Sequence, residues 1–415
     1  MPTPEPFPVH DRGVTHVVVQ LFGGDNNLSA YVEEDLYEMA AGNRGPFAVL
    51  ALVDRADRGG EVIEWTPRTG RRVVEELGEI DTGDPETLAR FVARALVTYP
   101  AEVEVAIGFW DHGSGVFDEY DPNELLLARR LGTLAPVPRH RRPRSFRARR
   151  LLLGAFRRSA DIRARAMLHD DTNAGVLTNL EAGRMLAAAF ARAGRTDKVA
   201  LLFSDTCLNG MVEVTHELAP FAQVIVASED LEPGDGWEYH EWFGRMSENP
   251  PADGIAWGRQ AVEAFRAGYA ERPDEHPCTL AAFRTENAIA EAFAGFVAEA
   301  RKLGRAGFDR LQRARARAQS FASDTDSYDL EDFMTLLRRQ QGARALRAAA
   351  ERVVKAVRAA RVASMALGPT VRRATGLAFW FPASLRAFET TIDTYAQLEF
   401  AKRTGWADYL REQYQ

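Results

Sequence analysis

Over the first half of the chain, short unbroken apolar runs alternate with stretches whose apolar positions recur every three or four residues. Residues 14–21 (VTHVVVQL), 47–53 (FAVLALV), 103–110 (VEVAIGFW), 199–203 (VALLF) and 221–227 (FAQVIVA) read as strands. Their continuous apolar character predicts central strands covered on both faces. Between them, residues 28–41, 84–97 and 178–192 carry helical spacing, and Thr178-Asn179-Leu180-Glu181 supplies a helix start with its acid in the first turn. This alternation predicts an α/β fold with a mostly parallel sheet and right-handed crossovers.

The pattern then changes. Residues 285–365 read as mainly helical and rich in Ala and Arg, 376–382 (GLAFWFP) as a strand, and 392–414 as a helical tail. With 415 residues, 46% of them hydrophobic, the chain can bury a large core, as two domains or one domain with additions. No apolar segment approaches the roughly 18 residues of a membrane span, and the start, MPTPEPFPVHDRG, lacks the regions of a secretory signal. Two cysteines without CxxC spacing argue against a disulfide framework or a structural zinc site. A cytoplasmic protein with no required metal is expected.

Charge divides the chain unevenly. Segment 129–165 holds Arg129, Arg130, Arg139, Arg141, Arg142, Arg144, Arg147, Arg149, Arg150, Arg157, Arg158, Arg163 and Arg165 against one acid, Asp161. These 13 arginines give it +12, so with a total of −7 the rest of the chain carries −19. Prolines 136, 138 and 143, with the arginines around them, make residues 129–150 a poor helix or strand. The segment is expected to be an exposed loop inserted in an acidic body.

Open parallel sheets bind ligands beyond the carboxyl ends of their strands, and two strands deliver reactive side chains there. GFWDHGSG presents Asp111, His112, Gly113 and Ser114; LLFSDTCLNG presents Asp205 and Cys207. If these strands are neighbours, a thiol and an imidazole meet as a nucleophile pair. Cys207 is expected to open a helix (LNGMVEVTHEL) whose positive end would favour thiolate. The N–H groups of Gly113 and Cys207 could form an oxyanion hole, worth roughly 3–4 kcal/mol per donor. The plainer readings are a packing cysteine and a structural histidine; Cys278, at the start of the apolar run in HPCTLAAF, has the look of core, and Asp111 of a structural residue.

The chain resembles the clostripain family of cysteine peptidases, relatives of gingipains, legumains, separases and caspases. The resemblance is carried by residues 23–39 (GGDNNLSAYVEEDLYEM), 108–115 (GFWDHGSG), 169–181 (HDDTNAGVLTNLE), 204–214 (SDTCLNGMVEV) and 227–239 (ASEDLEPGDGWEY). Supporting blocks are 327–333 (SYDLEDF), 375–382 (TGLAFWFP) and 399–410 (EFAKRTGWADYL). It implies a caspase-like three-layer sandwich over residues 1–284, with a helical subdomain, 285–415, packed on the sheet. It also implies a His112–Cys207 dyad and cleavage after Arg or Lys. Asp205 matches a family acid lining the specificity pocket, unless it merely caps the following helix; Asp235 is a second candidate, and Glu229 and Asp230 are weaker ones. Caspases place their histidine ~50 residues before the nucleophile; here 207 − 112 = 95, and removing the 37-residue basic segment leaves 58. Thr206 and Asn209 stand where smaller or more apolar residues are expected. Some relatives need calcium, for which the acidic stretches 118–124 and 228–235 are candidates without EF-hand spacing.

Relatives are matured by cleavage between histidine and nucleophile, where the arginine-rich segment lies. The expectation is a latent zymogen whose intact loop covers the acidic pocket and is cut by the enzyme itself or by an upstream protease, as in a bacterial defence or cell-death cascade. The rival is an inactive caspase-like binding protein whose basic loop contacts nucleic acid or an acidic partner. No recognisable nucleic-acid module supports that reading. A cysteine hydrolase or transferase acting on small amides is a third option.

Overall fold

The computed structural model describes residues 3–11, 13–116, 166–271, 277–322 and 325–414. The arginine-rich segment 129–165, with the expected processing loop, and the acidic stretch 118–124 lie outside the described residues. The chain divides into two compact units: Met1–Thr196 with Leu231–Pro250, and Asp197–Asp230 with Pro251–Gln415. The boundary expected at 284/285 falls inside the second.

The first unit is built on β1 (His16–Gly24), α1 (Ser29–Gly42), β2 (Phe47–Arg55), β3 (Gly60–Thr66), β4 (Gly70–Gly78), α2 (Pro85–Thr98) and β5 (Glu104–Trp110). The hairpin β6 (Ala166–Asp170) and β7 (Gly175–Thr178), α3 (Asn179–Ala193) and a helix over Tyr239–Glu248 complete it. β1 pairs in parallel with β5 on one side and β2 on the other, and β3 and β4 continue antiparallel. All nine residues of β1 and of β2 are buried, as unbroken apolar runs require. β4 is the outermost strand, and its Arg71, Arg72, Glu75 and Glu76 guard the open edge. Asp84 caps α2 by accepting from Glu86 N and Thr87 N, with Pro85 next to it. Thr178 and Glu181 form a reciprocal capping box on α3. α2 and α3 pack against each other, as do α1 and the 239–248 helix.

The second unit starts with β8 (Val199–Asp205), α4 (Val212–Leu218) and β9 (Ala222–Ala227), followed by α5 (Gly254–Tyr269) and β10 (Cys278–Arg284). β8 and β9 are parallel, and β10 joins β9 antiparallel. Helices α6 (Ile289–Lys302) and α7 (Gly304–Arg315) lead to the short strands β11 (Ser320–Phe321) and β12 (Ser327–Asp329), then α8 (Leu330–Arg338) and α9 (Arg344–Ala360). β13 (Arg361–Leu367) returns to pair with β10, and β14 (Ala378–Trp380) joins β12 in a separate small sheet. The tail is three helices, α10 (Leu385–Tyr395), α11 (Glu399–Thr404) and α12 (Trp406–Tyr414).

The run GLAFWFP thus forms a strand, as its pattern predicts, and its alternation explains its aromatics. Phe379 and Phe381 share one face, against Phe293, Phe333 and Trp406, while Trp380 turns the other way onto Tyr395, with ring centroids 4.5 Å apart.

Candidate active site

His112 belongs to the first unit. His112 follows β5 directly, and the strand's end is pinned because Trp110 Nε1 donates to Asp35 Oδ2 of α1 at 2.6 Å. Asn27, just past β1, lies against the ring, with Asn27 Oδ1 2.7 Å from His112 Nε2. A carboxamide oxygen only accepts, so this contact selects the tautomer protonated at Nε2 and leaves the basic lone pair on Nδ1. Burial holds His112 down to about 4, so the imidazole is neutral near pH 7.

Behind the ring, Asp111 works as an acceptor hub. It receives Asn26 Nδ2 at 2.8 Å, the His112 N–H at 2.5 Å and the His169 N–H. Burial pushes its carboxyl well above the ordinary range, and these three donations oppose that. Asn26 also reaches the carbonyls of Gly23 and His169 and accepts from Leu28 N, so one amide ties β1, β5 and β6 together. Gly23 has to be glycine here: a Cβ would lie 2.8 Å from Asp111 Oδ2. The residues after β1 were legible as a motif, yet their role as the histidine's clamp was not assigned; two tandem asparagines ending a central strand were the available signal.

His169 is buried, its ring centroid 6.3 Å from that of His112, and burial followed by the His112 charge brings it down to about 3. Its unfolded value is the ordinary 6.5, so between there and about 3 the unfolded chain binds the extra proton, and stability falls as pH falls through that window. His169→Gln should therefore flatten the acid slope of unfolding stability by up to about 1.4 kcal/mol per pH unit, as measured by urea midpoints at pH 7 and 4.5. An unchanged slope would mean that His169 is protonated in the native protein.

Cys207 belongs to the second unit. Cys207 lies 9% exposed, two residues past β8, and forms no disulfide. The expected helix does not begin at Cys207. Leu208 takes a left-handed φ of 63° and the chain turns before α4 starts at Val212, so helix-end stabilisation of a thiolate has no basis here. A braced turn takes its place. Leu208 N donates to Asp230 O, Gly210 N to Ser228 O at 2.6 Å, and Ala378 N of β14 to Gly210 O at 2.8 Å. A Cβ on Gly210 would sit 2.6 Å from Ser228 C, so only glycine allows that approach. The unexpected Thr206 and Asn209 have their reason in the same turn. The Thr206 hydroxyl lies 2.5 Å from that of Ser204, and Asn209 Nδ2 donates to both oxygens. Cys278 is fully buried, and burial pushes its thiol up to about 12, so it stays protonated as core.

The candidate pocket acids differ in what they can offer. Asp205 is the last residue of β8, 6% exposed. With α4 beginning at Val212, it is not that helix's cap. Asp235 is exposed on the turn closed by Gly236 N donating to Pro233 O. Asp230 is half-buried and accepts from Ala322 N. Glu229 is wholly buried and accepts from Gly376 N beside Asp329. In stretch 228–235, Glu229 and Asp230 accept from backbone N–H groups and Glu232 from the Trp237 indole. A different trio does come together. Asp25, Asp54 and Asp170 bring ligand oxygens within 4.8 Å of one another, and burial plus the Asp170, Asp25 and Glu79 charges push Asp54 up to about 8.

A sequence model of the clostripain family matches residues 21–128 and 154–411, the break between them falling in the arginine-rich segment. The chain belongs to the clostripain family of cysteine peptidases. No curated protein sequence matches it. Among solved structures, a secreted C11 cysteine protease from Bacteroides thetaiotaomicron bound to an irreversible peptide inhibitor aligns at TM-score 0.64 and 14% identity, covering 95% of this chain and 99% of that one. An inactive zymogen C11 protease from Parabacteroides distasonis aligns at 0.63 and 15%, again over 95% and 99%. A second B. thetaiotaomicron secreted structure, iotapain, gives 0.65 at 9%, over 97% and 100%. At these identities the likeness is one of fold: α/β, with a large, mostly parallel sheet flanked by helices and a helical C-terminal region. Among the described residues, no helix is long and apolar enough to cross a membrane.

Proposed function

We propose that this family member is an endopeptidase cleaving after Arg or Lys, with Cys207 as nucleophile and His112 as proton carrier. The observation that carries the reading is the Asn27–His112 contact, which sets a neutral imidazole in one tautomer just past a buried strand. Cys207 holds the corresponding position past β8. In the reaction, the Cys207 thiol proton passes to His112 Nδ1 as the sulfur attacks the scissile carbonyl carbon. The N–H groups of Gly113 and Cys207 receive the developing oxyanion. The imidazolium returns its proton to the amine, the C–N bond breaks and a thioester remains. Water then attacks the thioester, its proton moving through His112 to the departing thiol.

Asp205 is the pocket acid in this reading, a nearly buried carboxylate suited to a guanidinium or ammonium; Asp235 is the exposed alternative. The thirteen arginines of segment 129–165, which lies between His112 and Cys207, make it a ready substrate for such specificity. Latency until that segment is cut, by the enzyme itself or by an upstream protease, follows as part of the proposal, and a relative in the zymogen state supports it.

The test is a panel of fluorogenic peptides ending in Arg, Lys, Asp or Leu. Arg and Lys should exceed Leu by at least ~100-fold in kcat/KM, and Asp205→Asn should remove most of that margin. A gel of the same samples should show fragments from a cut within 129–165. Preference for Asp, or full activity as a single uncut band, would respectively overturn the pocket and the latency.

A further inference from the structure

We propose that Asp25, Asp54 and Asp170 form a binding site for a hard divalent cation of calcium's class, at the carboxyl edge of the first unit's sheet. In the β1–β2 register Gly23 faces Asp54 and Gly24 faces Arg55, so Asp25 emerges one step beyond β2's last pairing, while Asp170 ends β6. Their side chains are 1%, 0% and 2% exposed. One oxygen from each lies within 4.8 Å of the others, a spread that matches oxygens ~2.4 Å from a common centre.

A cluster of acids alone would not make a site; the decisive point is what these oxygens lack. Both carboxylate oxygens of Asp25, and Asp54 Oδ2, are buried without a hydrogen-bond partner. Among the described residues none of the three acids forms an ion pair. The adjacent cation, Arg55, lies on the opposite face of its strand and is committed to Glu61 and Glu33, each at 2.6 Å. Asp170 is aimed by donors, accepting from Thr82 N at 3.1 Å and Asn173 N at 2.8 Å. Glu79 and Asp81 add negative charge nearby. Buried carboxylates left like this need a counter-ion or protons. An all-oxygen donor set favours calcium or magnesium over zinc.

The site adjoins the histidine's clamp. Asp25 directly precedes Asn26 and Asn27, Asp170 directly follows His169, and Asp171 N donates to Asp25 O at 2.8 Å. A bound cation would lock the chain segments that orient His112. This second half rests on the peptidase reading; the binding claim does not.

The experiment uses the full chain carrying Cys207→Ala, stripped with chelator and titrated separately with calcium, magnesium and manganese chlorides by calorimetry and thermal unfolding. Saturable one-site binding by at least one metal is expected, with a rise in midpoint of about 3 °C or more. Asp54→Asn should abolish that response while leaving the metal-free midpoint equal or higher, because one of three repelling carboxylates is gone; a purely structural Asp54 would lower it. Absence of heat and shift with every metal at millimolar concentration overturns the site and leaves shared protons as the occupants. So does an undiminished response in Asp54→Asn. Should that variant fail to fold, terbium luminescence of the parent, displaced by calcium and lost in Asp25→Asn, decides the matter. On active enzyme, chelator should lower kcat for an Arg peptide at least tenfold. Unchanged kcat beside positive calorimetry removes only the link to His112, and inactivity with and without metal counts against the peptidase reading alone.

Discussion

Cys207→Ala should lower kcat/KM on Arg peptides by at least ~10⁴-fold, while shifting the unfolding midpoint by no more than a few degrees. The two halves of this expectation have different causes. In the proposed mechanism the Cys207 sulfur forms the thioester, so its removal leaves the imidazole and N–H groups with no bond to assist. The fold, by contrast, loses one small side chain at a turn held by backbone contacts. Gly210 N on Ser228 O, Ala378 N on Gly210 O and the Ser204–Thr206–Asn209 knot all survive the change. Cys278→Ala is the control. It empties space around a fully buried side chain, so it should cost stability, about 1–2 kcal/mol, and leave kcat intact. If Cys207→Ala retained more than a tenth of the parent activity, Cys207 would not be the nucleophile.

Where a segment's burial is uniform, its sequence announces it. β1, β2, β5, β8 and β9 are nearly all buried, their apolar runs are unbroken, and each lies within a residue or a few of its expected position. Strands with one exposed face were harder to see. β3 and β4 carry no unbroken apolar run, because Glu interrupts both and Arg interrupts β4. β13 follows α9 without a break in Ala- and Arg-rich chain, and what makes it a strand is its antiparallel partner β10, some eighty residues away. No local window contains that information.

The site followed the same logic. His112 and Cys207 were legible as candidates because strand ends at a carboxyl edge are places where chemistry accumulates. Asn27 and the trio Asp25, Asp54 and Asp170 were not, because their roles exist only once β1, β2, β5 and β6 are brought side by side. The helix expected at Cys207 failed for a backbone reason: Leu208 in the left-handed region stops propagation, and helical spacing over LNGMVEVTHEL does not reveal a single positive φ.

Asp111→Ala should cost about 3–5 kcal/mol of unfolding free energy and also reduce kcat, a larger stability loss than any other single change at this edge. The carboxylate gathers three donors from three segments: Asn26 after β1, His112 after β5 and His169 in β6. When the side chain is cut back, the backbone N–H groups of His112 and His169 lose this acceptor, and Asn26 keeps only the carbonyls of Gly23 and His169. Asp111→Asn is the sharper probe. It keeps the shape but can turn only one acceptor toward three donors, so it should recover less than half of the lost stability. Urea midpoints for the two variants test the network as structure, and kcat against KM on an Arg peptide tests it as positioning. Because Asp111 acts through the placement of His112, kcat should fall by more than KM rises. Were both variants to unfold at the parent midpoint, the carboxylate would not be what holds the histidine's rim together, and Asn26 would have to carry that role without it.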